Sequence, residues 1–380
     1  KSGDTPGWST DNRSRSLLPT GGEREHLSSV GIIANPAAGK DIRRLVAYGT
    51  VFDNMEKVNI VKRILLGLAA VGVQEVWYMP EYFGIVPRAQ ESVYSQHCLH
   101  LRVVPLPLSL TCTPEDSHRA AEEMARLGVK CIITLGGDGT NRVVAKGCGE
   151  VPLLPLSTGT NNVFPQMLEG TIAGLAAGLL ATGKACGQGL VKRCKRLSVV
   201  ENGMEVDMAL VDVALIKDTF IGSRAVWEPG KLRQLVLTRS EAVNIGLSSI
   251  GARFFPLDAF EPMGMEIEVG VPGEEVLAPI APGLVVPVAV RRWRLLRPGE
   301  EVEVKADQGV LALDGEREIE LRGREYGVRL LDDGPWVVDV EMVLRSGSAR
   351  KTKEDGTDGR KSAYAQAGPH HEARQGGQMV

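Results

Sequence analysis

The chain has 380 residues, of which 43% are hydrophobic and 24% charged, and its formal net charge at pH 7 is −3. This length predicts about two domains with a sizeable core, and the slightly acidic charge argues against a nucleic-acid partner, whose binding surface is ordinarily basic. No apolar run is long enough to span a bilayer and no secretory signal is recognisable near Lys1, so we expect a cytoplasmic protein without an integral membrane segment.

Two polar arms flank the region in which regular structure is expected. Residues 1–28 and 346–380 are rich in small and charged residues and lack hydrophobic periodicity, which predicts disorder. Between the arms the pattern changes once, near Lys195. We predict an α/β nucleotide-binding domain over residues 29–195 and a β-rich acceptor domain over residues 196–345.

In the first domain, apolar segments of strand length alternate with segments of helical spacing. The predicted strands are Val30–Ala34, Val76–Met79, Leu101–Pro107, Val129–Leu135 and Leu153–Leu156. The predicted helices are Asn54–Gly72, a segment from Pro114 to Leu127, and the short stretch Val143–Lys146. This alternation predicts a mainly parallel, doubly wound sheet with helices on both faces. Ligands of such sheets bind beyond the carboxyl ends of the strands.

After Lys195 the sequence becomes strand-rich and predicts largely antiparallel β-structure. The predicted strands are Leu197–Val200, Glu205–Ile216, Leu232–Leu237, Met265–Val269, Leu284–Val290, Glu301–Lys305, Val310–Leu313, Glu318–Leu321 and Val337–Val343. Turn dipeptides such as Asn202-Gly203 separate several of these strands.

The fourth predicted strand ends in the segment Gly136-Gly137-Asp138-Gly139-Thr140-Asn141, which reads as a strand, a glycine turn and a helix start. Glycines let a ligand approach the backbone closely, and the N–H groups of a helix N-terminus favour phosphate. A carboxylate in this turn, that of Asp138, would lie beside the phosphates. There it could bind Mg²⁺ or take a proton from an attacking hydroxyl. An ordinary glycine-rich turn is the alternative.

Two further loops follow predicted strands. The small residues of Asn35–Lys40 permit close approach of a nucleotide, although the segment is neither a P-loop nor a dinucleotide fingerprint, and a plain loop fits it equally well. The hydroxyls and amides of Ser157–Asn162 suit phosphate, ribose or adenine, with helix capping as the alternative. Three basic residues, Arg142, Lys146 and Lys40, could also meet phosphate, although a solvated charge is the simpler interpretation of each.

Carboxylates in the β-rich half supply further candidates. The segment Leu313-Asp314-Gly315-Glu316 places two acids around a glycine, and a hairpin turn is the alternative because Asp-Gly is a common hairpin dipeptide. Asp212 lies inside the apolar run Leu210–Ala214. A buried charge is costly unless it is paired, so Asp212 is either functional or on an exposed strand face.

The combined motifs resemble those of one superfamily, which comprises NAD kinases, diacylglycerol and sphingosine kinases and, more distantly, 6-phosphofructokinases. The resemblance rests on the Gly-Gly-Asp-Gly-Thr box at 136–140, the Asn-Pro loop at 35–39, the Gly-Thr-Asn-Asn loop at 159–162 and the Asp-Gly-Glu segment at 314–316. It covers roughly Val30 to Leu344. The third loop and the Asn141-Arg142 pair are most similar to the ATP-NAD kinase-like branch that includes acetoin catabolism protein X.

This resemblance implies an ATP-dependent kinase that acts on a hydroxyl acceptor, nominally NAD, with its site in the cleft between the domains. ATP and Mg²⁺ are the implied cofactors, with Asp138 as the metal candidate. In NAD kinases the residue matching Asp138 lies near the accepting hydroxyl, whereas in lipid kinases the base matches Asp314, next to Glu316. The implied nucleotide-binding residues are Asn35, Gly39, Gly136, Gly137, Gly139, Thr140, Asn141, Thr158, Gly159, Thr160, Asn161 and Asn162.

The chain departs from both precedents. Lipid kinases usually carry an Asn-Glu pair two residues after the glycine box. In this chain the pair Asn141-Arg142 follows the box directly, so the acidic partner is absent. The later Gly-Ser-Thr-Ala-Tyr segment of NAD kinases has only a weak counterpart in Ser248-Ser249-Ile250-Gly251. A lipid or small-alcohol kinase and a nucleotide-binding regulator without turnover therefore stay open beside the NAD kinase. Relatives are commonly oligomers, which implies a homo-oligomer here.

Overall fold

The computed structural model describes residues 27–39, 47–50, 52–95, 100–218, 229–306 and 308–348 of the chain. The predicted arms, residues 1–28 and 346–380, fall almost entirely outside these ranges, and Lys40 also lies outside them. Within the described ranges, no helix is both long and apolar enough to cross a bilayer.

The first part of the described chain alternates strands and helices. The strands are β1 (Ser29–Ala34), β2 (Glu75–Tyr78), β3 (Arg102–Pro105), β4 (Ile132–Gly136) and β5 (Leu153–Ser157). The helices are α1 (Asn54–Ala70), α2 (Ile85–Tyr94), α3 (Glu115–Leu127), α4 (Asp138–Gly147) and α5 (Gly170–Ala181). These strands are parallel and lie in the order β3-β2-β1-β4-β5. The chain therefore reverses its direction of travel across the sheet between β1 and β4, where ligands of such sheets bind.

Local sequence signals set the ends of these helices. The Asp53 carboxylate caps α1 by accepting the N–H of Met55 at 2.8 Å. Gly128 ends α3 with a φ of 73°, a left-handed conformation that glycine adopts without steric cost. Both boundaries are close to those that the sequence predicts.

Helices cover both faces of the parallel sheet, because successive residues of a strand point to opposite sides. Ile32 belongs to a core that includes Val61 of α1, together with residues of α2 and α5. Its neighbour Ile33 packs on the other face with Met124 of α3 and Val144 of α4. The predicted doubly wound α/β architecture is confirmed.

The rest of the chain is dominated by antiparallel strands, as predicted. The further strands are β6 (Val191–Arg193), β7 (Arg196–Glu201), β8 (Met204–Ala209), β9 (Asp212–Ile216), β10 (Leu232–Leu237), β11 (Gly264–Ala281), β12 (Leu284–Leu296), β13 (Glu301–Glu303), β14 (Val310–Leu313), β15 (Glu316–Glu320), β16 (Tyr326–Leu331) and β17 (Trp336–Val338). Two short helices are α6 (Ser248–Gly251) and α7 (Val340–Ser348). In the described residues, one sheet has the order β12-β11-β10-β9-β14-β15 and a second the order β13-β16-β7-β8.

These two antiparallel sheets share a core in which Val213 and Leu311 lie with Val328 and Leu330. Left-handed turns join their hairpins. Asn202 and Gly203 have φ values of 48° and 82°, and Asp314 and Gly315 have values of 52° and 76°. Positive φ at both central residues is the pattern of a type I′ turn, which matches the twist of paired strands.

The end of the described chain returns to the parallel sheet. Val337 of β17 pairs in parallel with Leu153 of β5, and β17 also pairs antiparallel with β6. Helix α7 packs against α5. Strand β17 thus lies inside the range 196–345 that the sequence assigns to the β-rich domain, yet it belongs to the first sheet. The boundaries of the domains stay a prediction.

Candidate active site

The three predicted loops meet along one cleft between the parallel sheet and the β-rich part. The cleft has a volume of ≈ 650 Å³ and is lined by residues that follow β1, β4 and β5. The loops contact one another directly: Asn35 Nδ2 donates to Thr140 Oγ1 at 2.9 Å, and a Cβ on Gly137 would lie 2.8 Å from Asn162 Oδ1. Of the catalytic and nucleotide-binding residues that the resemblance implies, all line this cleft except Gly136 and Asn141, and the further candidate Asp212 does not line it.

The glycine box has no room for side chains. A Cβ on Gly136 would lie 2.5 Å from Cβ of Thr140, closer than real Cβ contacts allow. Helix α4 begins directly after Gly137, which caps it in an extended conformation without a side-chain hydrogen bond. A helix N-terminus of this kind, free of bulk, is a ready anion site.

Asn141 supports the box from behind. Its side chain is fully buried; Oδ1 accepts from Thr134 Oγ1 at 2.6 Å, and Nδ2 donates to the carbonyl of Gly137 at 2.9 Å. These bonds fix the turn between β4 and α4. Asn141 therefore shapes the loop in this structure and does not line the cleft.

Lys57 organises the first loop and was not identified from the sequence. It lies in α1 with no exposed surface, and Nζ donates to the carbonyls of Asn35 and Ala38 at 2.8 and 2.7 Å. It also donates to Asn54 Oδ1 at 3.0 Å. The signal was present, because a lysine beside Val58 stands on the apolar side of an otherwise regular helix.

The third loop holds a buried hydroxyl for which the described residues supply no hydrogen-bond partner. Thr158 is 1% exposed, lines the cleft, and its Oγ1 has no partner within the described part of the chain. The loop is otherwise internally bonded: Ser157 Oγ donates to Gly159 O at 2.7 Å, and Asn162 Nδ2 donates to Ser157 Oγ at 2.8 Å. Buried polar groups are normally satisfied, so this hydroxyl fits a ligand oxygen in the cleft.

The Asp138 carboxylate binds the backbone of the third loop. It accepts the N–H of Val163 at 3.0 Å and that of Phe164 at 2.7 Å. The first residue of α4 is thereby tied to the segment after β5. Charged acceptors of backbone N–H groups make strong hydrogen bonds, so Asp138 holds the loops after β4 and β5 together while it lines the cleft.

The Asp314 carboxylate likewise binds backbone N–H groups, in the β-rich half. Its side chain is wholly buried, and its carboxylate accepts the N–H groups of Leu210 at 3.0 Å and Val211 at 2.7 Å. Arg142 Nε lies 3.6 Å away. Burial raises the pKa of the Asp314 carboxyl, while the Arg142 charge and the backbone donors oppose the rise.

Glu316 is less enclosed than Asp314. It is half-buried, lines the cleft, and lies so close to α4 that a Cβ on Gly139 would be 3.1 Å from its Oε1. A carboxylate is favoured at this position because the N-terminus of a helix carries partial positive charge. Both acids around Gly315 line the cleft, but only Glu316 keeps part of its surface exposed there.

Arg142 is not a solvated charge, contrary to the simpler interpretation of the sequence. Its side chain is 4% exposed and contacts three carboxylates of the β-rich part: Glu318 at 2.8 Å, and Asp207 and Asp314 at 3.6 Å each. Burial acts to lower the pKa of Arg142, but these carboxylates outweigh it and the pKa is raised. The guanidinium thus joins α4 to β8, to β15 and to the turn between β14 and β15.

Lys146 and Asp212 are two further charged candidates. Lys146 is exposed and binds Asp207 Oδ1 at 2.6 Å. Asp212 is 5% exposed within β9, so it does not lie on an exposed strand face. Its N–H lies 3.3 Å from Asp314 Oδ1. In the described ranges no group of three or more His, Cys, Asp or Glu could hold a metal ion.

Family comparisons match the two parts of the chain separately. The model for the ATP-NAD kinase N-terminal domain matches residues 30–185. The model for the acetoin catabolism protein X C-terminal domain matches residues 195–333. Acetoin catabolism protein X of Cupriavidus necator is 40% identical over 332 residues, which cover 83% of this chain and 91% of that protein. The chain belongs to the acetoin catabolism protein X family, as the resemblance of its motifs indicated.

The solved structures that match this chain include two structures of a putative diacylglycerol kinase from Bacillus anthracis str. Sterne. The first has a TM-score of 0.39 and 16% identity, and the match covers 82% of this chain and 98% of that chain. The second has a TM-score of 0.39 and 15% identity, with 83% and 98% covered.

Proposed function

We propose that this protein transfers the γ-phosphoryl group of ATP to the hydroxyl of a small-molecule acceptor. The observation that carries the proposal is the meeting of three strand-end loops and the N-terminus of α4 in one cleft. Phosphoryl transfer asks for positioning and charge neutralisation more than for a covalent nucleophile. A glycine-lined anion site beside carboxylates supplies both requirements.

A separate apolar recess supports a nucleotide as the phosphoryl donor. It has a volume of ≈ 110 Å³ and adjoins the cleft at Asn35 and Ala37. Pro80, Tyr82 and Leu110 are among its lining residues. A flat base could occupy this recess while its phosphates extend towards the glycine box, since nucleotide sites combine apolar surfaces with a few polar groups.

Glu316 is the residue to which we assign the acceptor proton. As the bond between the acceptor oxygen and Pγ forms, the bond from Pγ to the β–γ bridging oxygen breaks, ADP leaves, and the hydroxyl proton passes to Glu316. Asp314 is enclosed by backbone donors and serves to hold the turn that presents Glu316. Both roles rest on the exposure of Glu316 and the complete burial of Asp314.

Mg²⁺ fits this cleft as a partner of the nucleotide. It ordinarily binds through one or two carboxylates together with substrate phosphates, where it neutralises charge on the transferring group. Asp138, which lines the cleft beside the glycine box, would hold it. A site that is completed by phosphates agrees with the lack of a three-ligand cluster among the described residues.

NAD is the acceptor that the N-terminal family model suggests, because that model is of ATP-NAD kinases. A lipid kinase is the alternative within the superfamily. A nucleotide-binding regulator without turnover is favoured by one observation: Asp138 and Asp314 both satisfy backbone N–H groups, a role that needs no chemistry. Cytoplasmic location and homo-oligomer formation stay predictions.

Calorimetric titration with a non-hydrolysable ATP analogue and Mg²⁺ tests the proposal, followed by ADP release with acceptors present. Thr158→Val should weaken binding of the analogue about tenfold, since it removes a hydroxyl from the cleft. Thr171→Val, outside the cleft, is the control. Binding without ADP release under any acceptor would favour the regulator, and absence of binding would contradict both functions.

A further inference from the structure

Charged side chains of the β-rich part and of α4 form one part of the cleft. Asp207, Glu316 and Glu318 of the β-rich part line it together with Lys146 of α4, and we call these four residues the acceptor wall. The Asp207 and Glu318 side chains are 19% and 22% exposed. They are therefore enclosed on most sides but open towards the cleft.

Contacts with cations hold these carboxylates in place. Arg142 Nη2 binds one oxygen of Glu318 at 2.8 Å, and Lys146 Nζ binds Oδ1 of Asp207 at 2.6 Å. A carboxylate has about four lone-pair sites, so each anchored group keeps acceptor capacity. Side chains fixed in this way can receive hydroxyl donors at defined positions with little loss of entropy.

Within the described residues, the lining of the cleft contains no large aliphatic side chain and no ring of Phe, Trp or Tyr. Among the described residues that line it there is no Leu, Ile, Met, Phe, Trp or Tyr, and the apolar contributors are Ala37, Ala38, Pro114, Val143 and Pro282. The apolar recess beside Tyr82 lies on the nucleotide side and is small. Lipid tails and dinucleotides need apolar or stacking contact area, which this wall does not supply.

We infer that the phosphoryl acceptor is a small, uncharged compound with several hydroxyl groups, bound by the acceptor wall. The inference rests on the proposed kinase function and names the substrate class of the same cleft. Carboxylates accept hydrogen bonds from neighbouring hydroxyls, whereas an anionic acceptor would be repelled by the excess of negative charge. One hydroxyl loses its proton to Glu316 as its oxygen bonds to Pγ and ADP departs.

The experiment uses the full chain and two separate readouts. Binding of a non-hydrolysable ATP analogue with Mg²⁺ is measured by calorimetry. ADP release is then measured with glycerol, erythritol, ribitol or myo-inositol, and with NAD, glycerol 3-phosphate and diacylglycerol micelles for comparison. Glu318→Gln tests the wall, and Glu274→Gln, which makes the same charge change at an exposed position of β11, is the control.

A polyol from the panel is expected to raise ADP release above the rate in water, with a phosphorylated polyol identified by mass spectrometry. Glu318→Gln should raise the KM for that polyol about tenfold with little change in affinity for the ATP analogue. Preferred phosphorylation of NAD or lipid would overturn the inference, as would analogue binding without phosphorylation of any polyol. Failure of the analogue to bind would overturn the proposed function itself.

Discussion

Two aspartates of this chain bind backbone N–H groups in the same way. Asp138 and Asp314 each precede a glycine, and each carboxylate collects the N–H groups of consecutive residues in a neighbouring segment. A carboxylate in such a position stabilises an irregular backbone that would otherwise leave donors unpaired. The residues that the motifs mark for chemistry therefore also hold the cleft together.

Replacement of Glu316 separates chemistry from binding. Glu316→Gln removes the proposed proton acceptor but keeps the size of the side chain, so kcat for the acceptor should fall about 10²- to 10⁴-fold. Affinity for the ATP analogue should change little. Steady-state ADP release and calorimetry measure the two quantities. A variant with full kcat would exclude Glu316 as the base.

The Asp314→Asn variant is the matched comparison and should act chiefly on stability. An amide nitrogen at the position of one carboxylate oxygen would face backbone N–H groups or Arg142, so the free energy of unfolding should fall by about 1–3 kcal/mol. Urea unfolding at pH 7 measures this change. An unaltered unfolding curve together with lost turnover would instead place Asp314 in the chemistry.

At the scale of residues, the sequence marks groups with a motif and misses those without one. The glycine box stands out because few structural roles require such residues together, whereas the Asp-Gly-Glu segment also suits the hairpin turn that it forms. Arg142 does not stand out, because a basic residue in a helix is ordinarily solvated, and only tertiary contacts show that it is buried. Such contacts join distant parts of the chain, and local pattern does not contain them.

Close packing of α1 against α5 gives a prediction at the scale of elements. A Cβ on Gly174 of α5 would lie 2.4 Å from the carbonyl oxygen of Ile64 in α1. Gly174→Ala should therefore force the helices apart and lower the free energy of unfolding by about 1–3 kcal/mol. Gly230→Ala, where nothing lies within 4 Å of the added atom, is the control. Thermal unfolding of both variants is the measurement, and equal melting temperatures would contradict the prediction.

The small residues that permit this contact also explain why the sequence does not predict α5. Its sequence, GTIAGLAAGLLA, is apolar and small on nearly every side, so no period of hydrophobicity appears. The run Val337–Val343 was predicted as one strand, but β17 ends at Val338 and α7 begins at Val340. Periodicity does not distinguish helix from strand in so short an apolar run. Longer elements with a clear period, such as α1 and β1, were predicted within a few residues.

At the scale of the whole molecule, Arg142 couples the two halves. Arg142→Met would leave Asp207, Asp314 and Glu318 without their shared cation, and removing one partner of a buried ion pair costs about 3–5 kcal/mol. Urea unfolding measures this loss, and Arg142→Lys should recover part of it. Arg126→Met, at an exposed ion pair, is the control. A loss no larger than that of the control would show that the network does not couple the halves.

A buried lysine at the junction of the two halves makes stability depend on pH. Lys195 is 2% exposed and donates to the carbonyls of Asp258 and Met263. Burial, with help from Arg239, lowers its pKa from 10.5 to about 8. Between pH 8 and pH 10.5 the unfolded chain therefore binds more protons than the folded chain. The stability that deprotonated Lys195 contributes is complete above pH 10.5 and is lost as the pH falls through about 8.

The Lys195→Met variant isolates this contribution. Between pH 8 and pH 10.5 the wild type should gain about 3 kcal/mol of unfolding free energy relative to the variant. Urea unfolding across this range gives the difference curve, and Lys130→Met at an exposed position is the control. A flat difference between wild type and Lys195→Met would contradict the lowered pKa.

The position of β17 has a consequence for how the protein is made. During translation β5 and β6 leave the ribosome early, but the strand that pairs with both of them emerges only after the entire β-rich part has been synthesised. A nascent chain that stops at residue 195 thus exposes an open sheet edge beside β5, a template for unwanted pairing. A synthetic peptide of residues 334–348 should bind such a truncated chain and keep it from aggregating.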